Sequence, residues 1–327
     1  MPDFLIVRLS SLGDIVHTIP AYAALRGANP KDRIRWVVGK KGKEILDFVP
    51  SLDEVIVRGE RGWWKRLRGR DQIALDFQGL LKSALIARLS GAKTRLGFHA
   101  SNLKEPSARL FYTGRLDPVS EAGHVIAKNL SLLRLVGIEA VERRFEFPLR
   151  IPDKLLNSVC DKIGPARCLG SRSLVVFNVG AAWPSKRWDA RNWVALLNIL
   201  EHDHIHPLLL WGTEEERFIA ERIRKRTEVD LTPFLTIRET MALLKKAALL
   251  VSGDTFALQA ACALGVPVVG LFGPTNPRRN GPFQARDEVI YHEIGCSRCY
   301  KHDCESLDCM KLITPEEVAK KVRASLR

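Results

Sequence analysis

"AALLVSGDTFALQAACALGVPVVGLFG", residues 247–273, is the one long apolar tract of the chain, and its reading decides the fold. Taken whole, it has the length of a membrane-spanning helix. Asp254 and Gln259 argue against that, because an ionised Asp at mid-bilayer is costly. Gly253, Gly265 and Gly270 break the tract further. In pieces it reads as a strand, a short helix opened by Asp254 and Thr255 and closed by Gly265, and a buried second strand. Strand, helix, strand predicts a parallel α/β sheet.

The same habit runs through the chain. "FLIVRL" (4–9), "IRWVVG" (34–39), "EVIVR" (54–58) and "IALDF" (73–77) read as strands. So do "SLVVFNVG" (173–180), "HPLLLWG" (206–212), "ALLVSG" (248–253) and "VPVVGLFG" (266–273). Helical patterns lie between them at 14–27, 79–90, 190–202, 214–226 and 238–246. A stretch over 150–173, with two prolines, two glycines and several charges, separates the two series. Two doubly wound Rossmann-like domains, 1–160 and 161–327, are therefore expected. Ligands in such sheets sit beyond the carboxyl ends of the strands, which predicts a central cleft faced by both domains.

Bulk properties narrow the partners. The chain has 327 residues, 46% hydrophobic and 27% charged, the balance of a soluble globular protein. Lys and Arg exceed Asp and Glu by 51 to 37, a net charge of +14 that favours nucleic acid, an acidic membrane surface or a phosphorylated substrate. Charges follow Met1 closely and the first apolar run is only Phe4 to Val7, so no secretory signal is read there. Seven cysteines, four of them crowded at 296–309, do not resemble a secreted disulfide framework. A cytoplasmic location is expected.

Three strand ends carry polar groups suited to chemistry. "RLSSLGDIVHTIPA" (8–21) offers one glycine, two serines and Asp14 where a phosphate-binding turn would offer several glycines. A carboxylate would repel phosphate, so Asp14 is either a capping acid or a base held ionised by the helix dipole. In "NVGAAWPSKRWDARNWVALL" (178–197), Lys186 and Arg187 precede a helix N-terminus, where cations are unfavourable unless they hold an anion. In the third, backbone N–H groups at Asp254 and Thr255 can hold a diphosphate.

Taken together, these motifs resemble glycosyltransferase family 9, the bacterial ADP-heptose:lipopolysaccharide heptosyltransferases. "LIVRLSSLGDIVHTIPA", "LDFQGLLKSALIARL", "KEPSARLFY", "KRWDARNWVALL", "VSGDT" and "ALGVPVVGLFGPTNP" occur in the family's order between residues 5 and 277. "QGLLKS" and "KEPSARLFY" look most like the heptosyltransferase I branch, which adds the first heptose to Kdo-lipid A. The resemblance implies a GT-B architecture, an inverting mechanism and no metal for the chemistry. It implies that Asp14 is the catalytic base and that Lys186 binds the donor's phosphates. Asp254 and Thr255 match the donor-binding acid and threonine, with Gly180, Ala181 and Ala182 beside them. Leu235 and Thr236 are expected near adenine and Glu215 near ribose. Ser10, Ser11, Gln78, Lys82, Lys104 and Arg61 are the expected acceptor contacts. Two positions depart from the pattern: Phe256 stands for a usual glycine and Gln259 for a usual histidine.

Two further segments need an account. "RGERGWWKRLRGRD" (58–71) sets six basic residues around Trp63 and Trp64. It reads either as a solvated helix face or as a contact for an anionic lipid headgroup and sugar acids. "CSRCYKHDCESLDC" places Cys296, Cys299, Cys304 and Cys309 at zinc-knuckle spacing. A structural zinc, reduced thiols or paired thiols would each fit, and a similar tail occurs in some heptosyltransferase II-like members. The expected activity is inverting transfer of heptose from ADP-heptose to Kdo-lipid A or the lipopolysaccharide inner core. It would take place at the inner face of the cytoplasmic membrane, with no nucleic acid partner. A different nucleotide-sugar donor, or a zinc-knuckle RNA-binding protein, are the alternatives.

Overall fold

A computed structural model describes residues 3–69, 71–139, 145–227, 229–284 and 286–327; Met1 and Arg70 of the segments above lie outside them. The chain divides into two compact units, one ending at Arg150 and one beginning at Ile151.

The first unit holds strands β1 (Phe4–Val7), β2 (Ile34–Val38), β3 (Glu54–Val57), β4 (Ile73–Asp76), β5 (Thr94–Gly97) and β6 (Gly114–Arg115). The second holds β7 (Ser173–Asn178), β8 (Ile205–Leu210), β9 (Asp230–Leu231), β10 (Leu249–Gly253), β11 (Val268–Phe272) and β12 (Glu288–Tyr291). The sheets run β3-β2-β1-β4-β5-β6 and β12-β11-β10-β7-β8-β9. All the pairings are parallel. The chain reverses direction across each sheet between β1 and β4 and between β7 and β10, the place where such sheets bind ligands.

The 247–273 tract is β10, the helix Phe256–Ala263 and β11. Thr255 caps that helix and Gly265 ends it at φ +76°, a conformation that suits glycine. No helix among the described residues is long and apolar enough to cross a membrane.

Two boundaries differ from expectation. The helix expected over 14–27 is two helices, Leu12–Val16 and Ile19–Ala28. Pro20 lies in the first turn of the second, where its missing N–H costs nothing. The units meet at 150/151 rather than 160/161, because the helix Asp153–Ile163 packs on the helix Ile237–Lys246 of the second unit. Lys162 Nζ reinforces this by donating to the Phe234 carbonyl at 3.0 Å and to Glu239 at 2.9 Å. A disulfide joins Cys160 on that helix to Cys168.

The basic segment is anchored by a buried ion pair. Arg35 on β2 donates from Nε to Asp71 at 2.8 Å and binds the Arg66 and Leu67 carbonyls at 2.6 and 3.1 Å. Trp63 packs on the first unit's core, while Trp64 is exposed.

Candidate functional site

In the first unit, β1 lies beside β4 with Val7 level with Asp76. The chain leaves β1 through Arg8 and Leu9, crosses the cis Ser10–Ser11 peptide, and opens the helix Leu12–Val16 with Asp14 in its first turn. One carboxylate oxygen of Asp14 pairs with the Arg8 guanidinium at 2.8 Å. The other accepts from the Ser11 N–H at 3.2 Å and the Ser11 hydroxyl at 2.9 Å. Burial pushes the Asp14 carboxyl up, but the charges of Arg8 and His17 and the Ser11 donors outweigh it and hold the pKa at about 2. The side chain is still 36% exposed, so a substrate can reach it.

A second acid organises the neighbouring turn. Asp76 is fully buried and accepts from Ser83 Oγ at 2.8 Å and Tyr112 Oη at 2.7 Å, and from the N–H groups of Gln78 and Gly79 at 2.9 and 3.2 Å. Burial pushes the pKa of Asp76 up, and burial and Asp76 push that of Tyr112 up. Gln78, so fixed, accepts from the Leu9 N–H at 2.7 Å and reaches Ser10 Oγ at 3.4 Å. Gln78 with Ser10 and Asp14 with Ser11 are thus two hydrogen-bonded pairs, joined through the Ser10–Ser11 peptide. Lys82 and Lys104 are exposed beyond it, and Arg61 follows β3, two strands away from β1. Tyr112→Phe should cost about 1–3 kcal/mol of stability, since it leaves a buried carboxyl short of a donor; urea denaturation measures it.

The second unit repeats the arrangement with opposite charge. Asn178 at the end of β7 donates to Ser252 Oγ at 2.9 Å and Thr255 Oγ1 at 3.0 Å. These bonds fix Thr255 at the start of the helix Phe256–Ala263. Lys186 Nζ donates to the Asp254 carboxylate at 2.8 Å and lies 4.1 Å from the centre of the Trp183 ring. Trp183 in turn stacks on His302 at 4.0 Å. Ser185 is buried; its N–H donates to the His302 carbonyl at 3.1 Å and its hydroxyl to the Lys301 carbonyl at 2.6 Å. The C-terminal segment thus braces the loop that carries Lys186. Trp188 turns into the core and donates to the Ile313 carbonyl at 3.1 Å.

Around this centre, the expected donor contacts fall into two groups. Gly180 is buried under Glu216, whose carboxyl would lie 2.2 Å from a Cβ there; Ala181 is buried and Ala182 exposed. Arg187 donates to the Ala181 carbonyl at 2.8 Å and pairs with Glu215, whose carboxyl it holds low. Leu235 is buried in the core, and Thr236 caps the helix Ile237–Lys246 reciprocally with Glu239. Beside them Phe234 is exposed and lies 5.8 Å from Trp211 between ring centres, an aromatic surface the sequence reading passed over. Gln259 is buried and donates to the Asn280 carbonyl at 2.6 Å, tying the helix to the loop after β11.

The four-cysteine zinc site is not assembled. Among the described residues no group of three or more His, Cys, Asp or Glu is placed to hold a metal ion. Cys309 is buried where it and Met310 pack on Gly273, whereas Cys296 and Cys299 are exposed. Burial, then the neighbouring Cys296, pushes the Cys309 thiol up. The spacing fits a knuckle, and Cys296, Cys299 and Cys304 lie near Cys309, but the four are not gathered into a metal-holding group among the described residues.

Comparison with known proteins agrees with this geometry. The model of glycosyltransferase family 9 (heptosyltransferase) matches residues 61–310. Lipopolysaccharide heptosyltransferase 1 of Pseudomonas aeruginosa is 28% identical, covering 98% of this chain and 97% of that protein. Its namesake in Salmonella typhimurium is 25% identical, covering 84% and 89%. The solved structure of Escherichia coli heptosyltransferase WaaC with ADP-2-deoxy-2-fluoro heptose has the same fold, with a TM-score of 0.78 at 21% identity over 98% of this chain and 99% of that one. Two parallel six-stranded sheets of this order are those of a GT-B glycosyltransferase. The chain belongs to glycosyltransferase family 9, the heptosyltransferases.

Proposed function

We propose that this enzyme transfers heptose from ADP-heptose to Kdo-lipid A or the lipopolysaccharide inner core, with inversion at the anomeric carbon. The carrying observation is the pair of polar centres at the two points of strand reversal. One is an ionised, reachable carboxylate, Asp14; the other is a cation, Lys186, beside a helix N-terminus. The names of the relatives and the ADP-sugar analogue bound to WaaC support the donor.

In this reading the first unit binds the acceptor and the second the donor. The acceptor hydroxyl attacks the anomeric carbon as the bond to ADP breaks, and its proton passes to Asp14. At a pKa of about 2 the carboxylate is ionised across the working range, so it takes the proton only as the attacking oxygen becomes acidic in the transition state. Lys186 and the N–H groups at the start of the helix Phe256–Ala263 meet the charge that grows on the leaving ADP. The reaction takes place at the inner face of the cytoplasmic membrane, because the acceptor is a lipid. Phe256, standing for the family's glycine, favours one alternative: another nucleotide-sugar donor in the same fold.

The test is nucleotide release by the purified enzyme with Kdo-lipid A and ADP-heptose, side by side with UDP- and GDP-sugars. ADP release that needs both ADP-heptose and acceptor is the expected result. Release from another donor alone would replace the proposed one. The pH profile carries a second expectation: Asp14 stays deprotonated down to about pH 2, so its titration adds no fall in kcat/KM between pH 7 and 5. A fall that disappears in Asp14→Asn would contradict the low pKa.

A further inference from the structure

The helix Leu81–Leu89 buries Ser83, Ala84, Ile86 and Ala87 against the first unit and turns leucines outward as well. Leu81, Leu85 and Leu89 are 43%, 42% and 48% exposed, and their i, i+4, i+8 spacing puts them in one row along the helix. The 3-10 helix Pro106–Phe111 packs against it and adds Leu110, 76% exposed. Scattered exposed leucines are ordinary, but four on two packed helices form a patch, and patches mark contacts. The surroundings are strongly basic. Between Leu81 and Leu116 the sequence has seven Lys and Arg against one acid, Glu105. Lys82, Arg88, Lys93, Lys104 and Arg109 are all exposed. Burial, then the charge of Arg88, holds Arg95 below its ordinary pKa.

We propose that the outer face of the helix Leu81–Leu89, with Leu110, docks the enzyme on an anionic lipid leaflet. The leucines enter the acyl boundary while the lysines and arginines around them meet lipid phosphates. A second copy of the chain is a poor occupant, because its own basic rim would face this one. The helix begins at the turn that Asp76 holds, next to Gln78, so the docked face places that turn close to lipid. This inference rests on the lipid-linked acceptor proposed above and names the surface that reaches it.

Co-sedimentation with vesicles tests it, using phosphatidylglycerol–phosphatidylethanolamine vesicles against phosphatidylcholine ones. The wild-type enzyme should bind the anionic vesicles and leave the neutral ones. Leu85→Gln/Leu89→Gln/Leu110→Gln and, separately, Arg88→Glu/Arg109→Glu should each lose at least about tenfold in partitioning. Both sets alter exposed side chains, so melting should match wild type. ADP release with a deacylated, water-soluble acceptor should stay within about threefold of it. Wild-type binding that ignores lipid charge, or variants that bind as wild type, would overturn the docking face. A leucine variant changed in oligomeric state but not in vesicle binding would overturn it too, in favour of self-association. Absence of ADP release by wild type on any acceptor would instead remove the heptosyl-transfer reading, and the vesicle result would still decide the docking face.

Discussion

Asp14→Asn should give a folded enzyme that binds ADP-heptose normally and turns over ~10²–10⁴ more slowly, the usual cost of losing general-base help. Asparagine keeps the side chain's size and an oxygen that can accept from the Ser11 N–H and hydroxyl, so the start of the helix stays capped. The proposed donor residues lie on the second unit, so donor affinity should be unchanged. A capping role alone predicts the reverse, lower stability with full activity in the folded fraction. Arg8 complicates the comparison, because its buried guanidinium pairs with Asp14 and among the described residues keeps the Phe77 carbonyl after the substitution. Some loss of stability is therefore expected on either reading, and activity must be scored per folded molecule. Calorimetry together with ADP release does so. Turnover within threefold of wild type would reject Asp14 as the base.

Lys186→Ala should lower kcat/KM for ADP-heptose by at least tenfold and by up to ~10²–10³. A charge-assisted phosphate contact is worth ~1.5–3 kcal/mol, and removing a donor that stabilises transition-state charge costs ~2.7–4 kcal/mol. The substitution also leaves the Asp254 carboxylate, only 9% exposed, without its cation and facing the proposed position of the incoming phosphates. Like charges at that point weaken binding as well as turnover, so KM should rise while kcat falls. Isothermal titration with ADP separates the two effects. Unchanged ADP affinity and unchanged turnover would take Lys186 out of the site.

The sheet interiors were legible because buried parallel strands are nearly continuous apolar runs. All eight runs read from sequence are strands, among them β1, β4, β7 and β10, which carry the candidate site. The strands passed over are β5, β6, β9 and β12, which lie at or next to sheet edges. β6 and β9 are two residues each, and half-exposed runs such as "TRLG" and "EVIY" carry no clear period. Asp14, Lys186, Asp254 and Thr255 stood out because each follows a strand and begins or precedes a helix. Their supports did not. Arg8 and Asp76 look in sequence like interruptions of apolar strands, and Asn178 and Ser252 like ordinary strand polar residues. Only the fold brings each to its partner. For the cysteines, spacing was legible and burial was not.

The two sheets share one strand order, and this makes Asp14 and Lys186 positional counterparts: each lies in the first short helical turn after the first strand of its own unit. Gln78 and Lys82 on one side, and Asp254 and Thr255 on the other, likewise follow equivalent fourth strands. A single scaffold is thus used twice, and the sign of one side chain distinguishes the uses. An anion after the first strand suits a place where a proton must be taken up. A cation after its equivalent suits a place where phosphate charge must be received. In the proposed function the division of labour between the halves is written in charge, on sheets of one strand order.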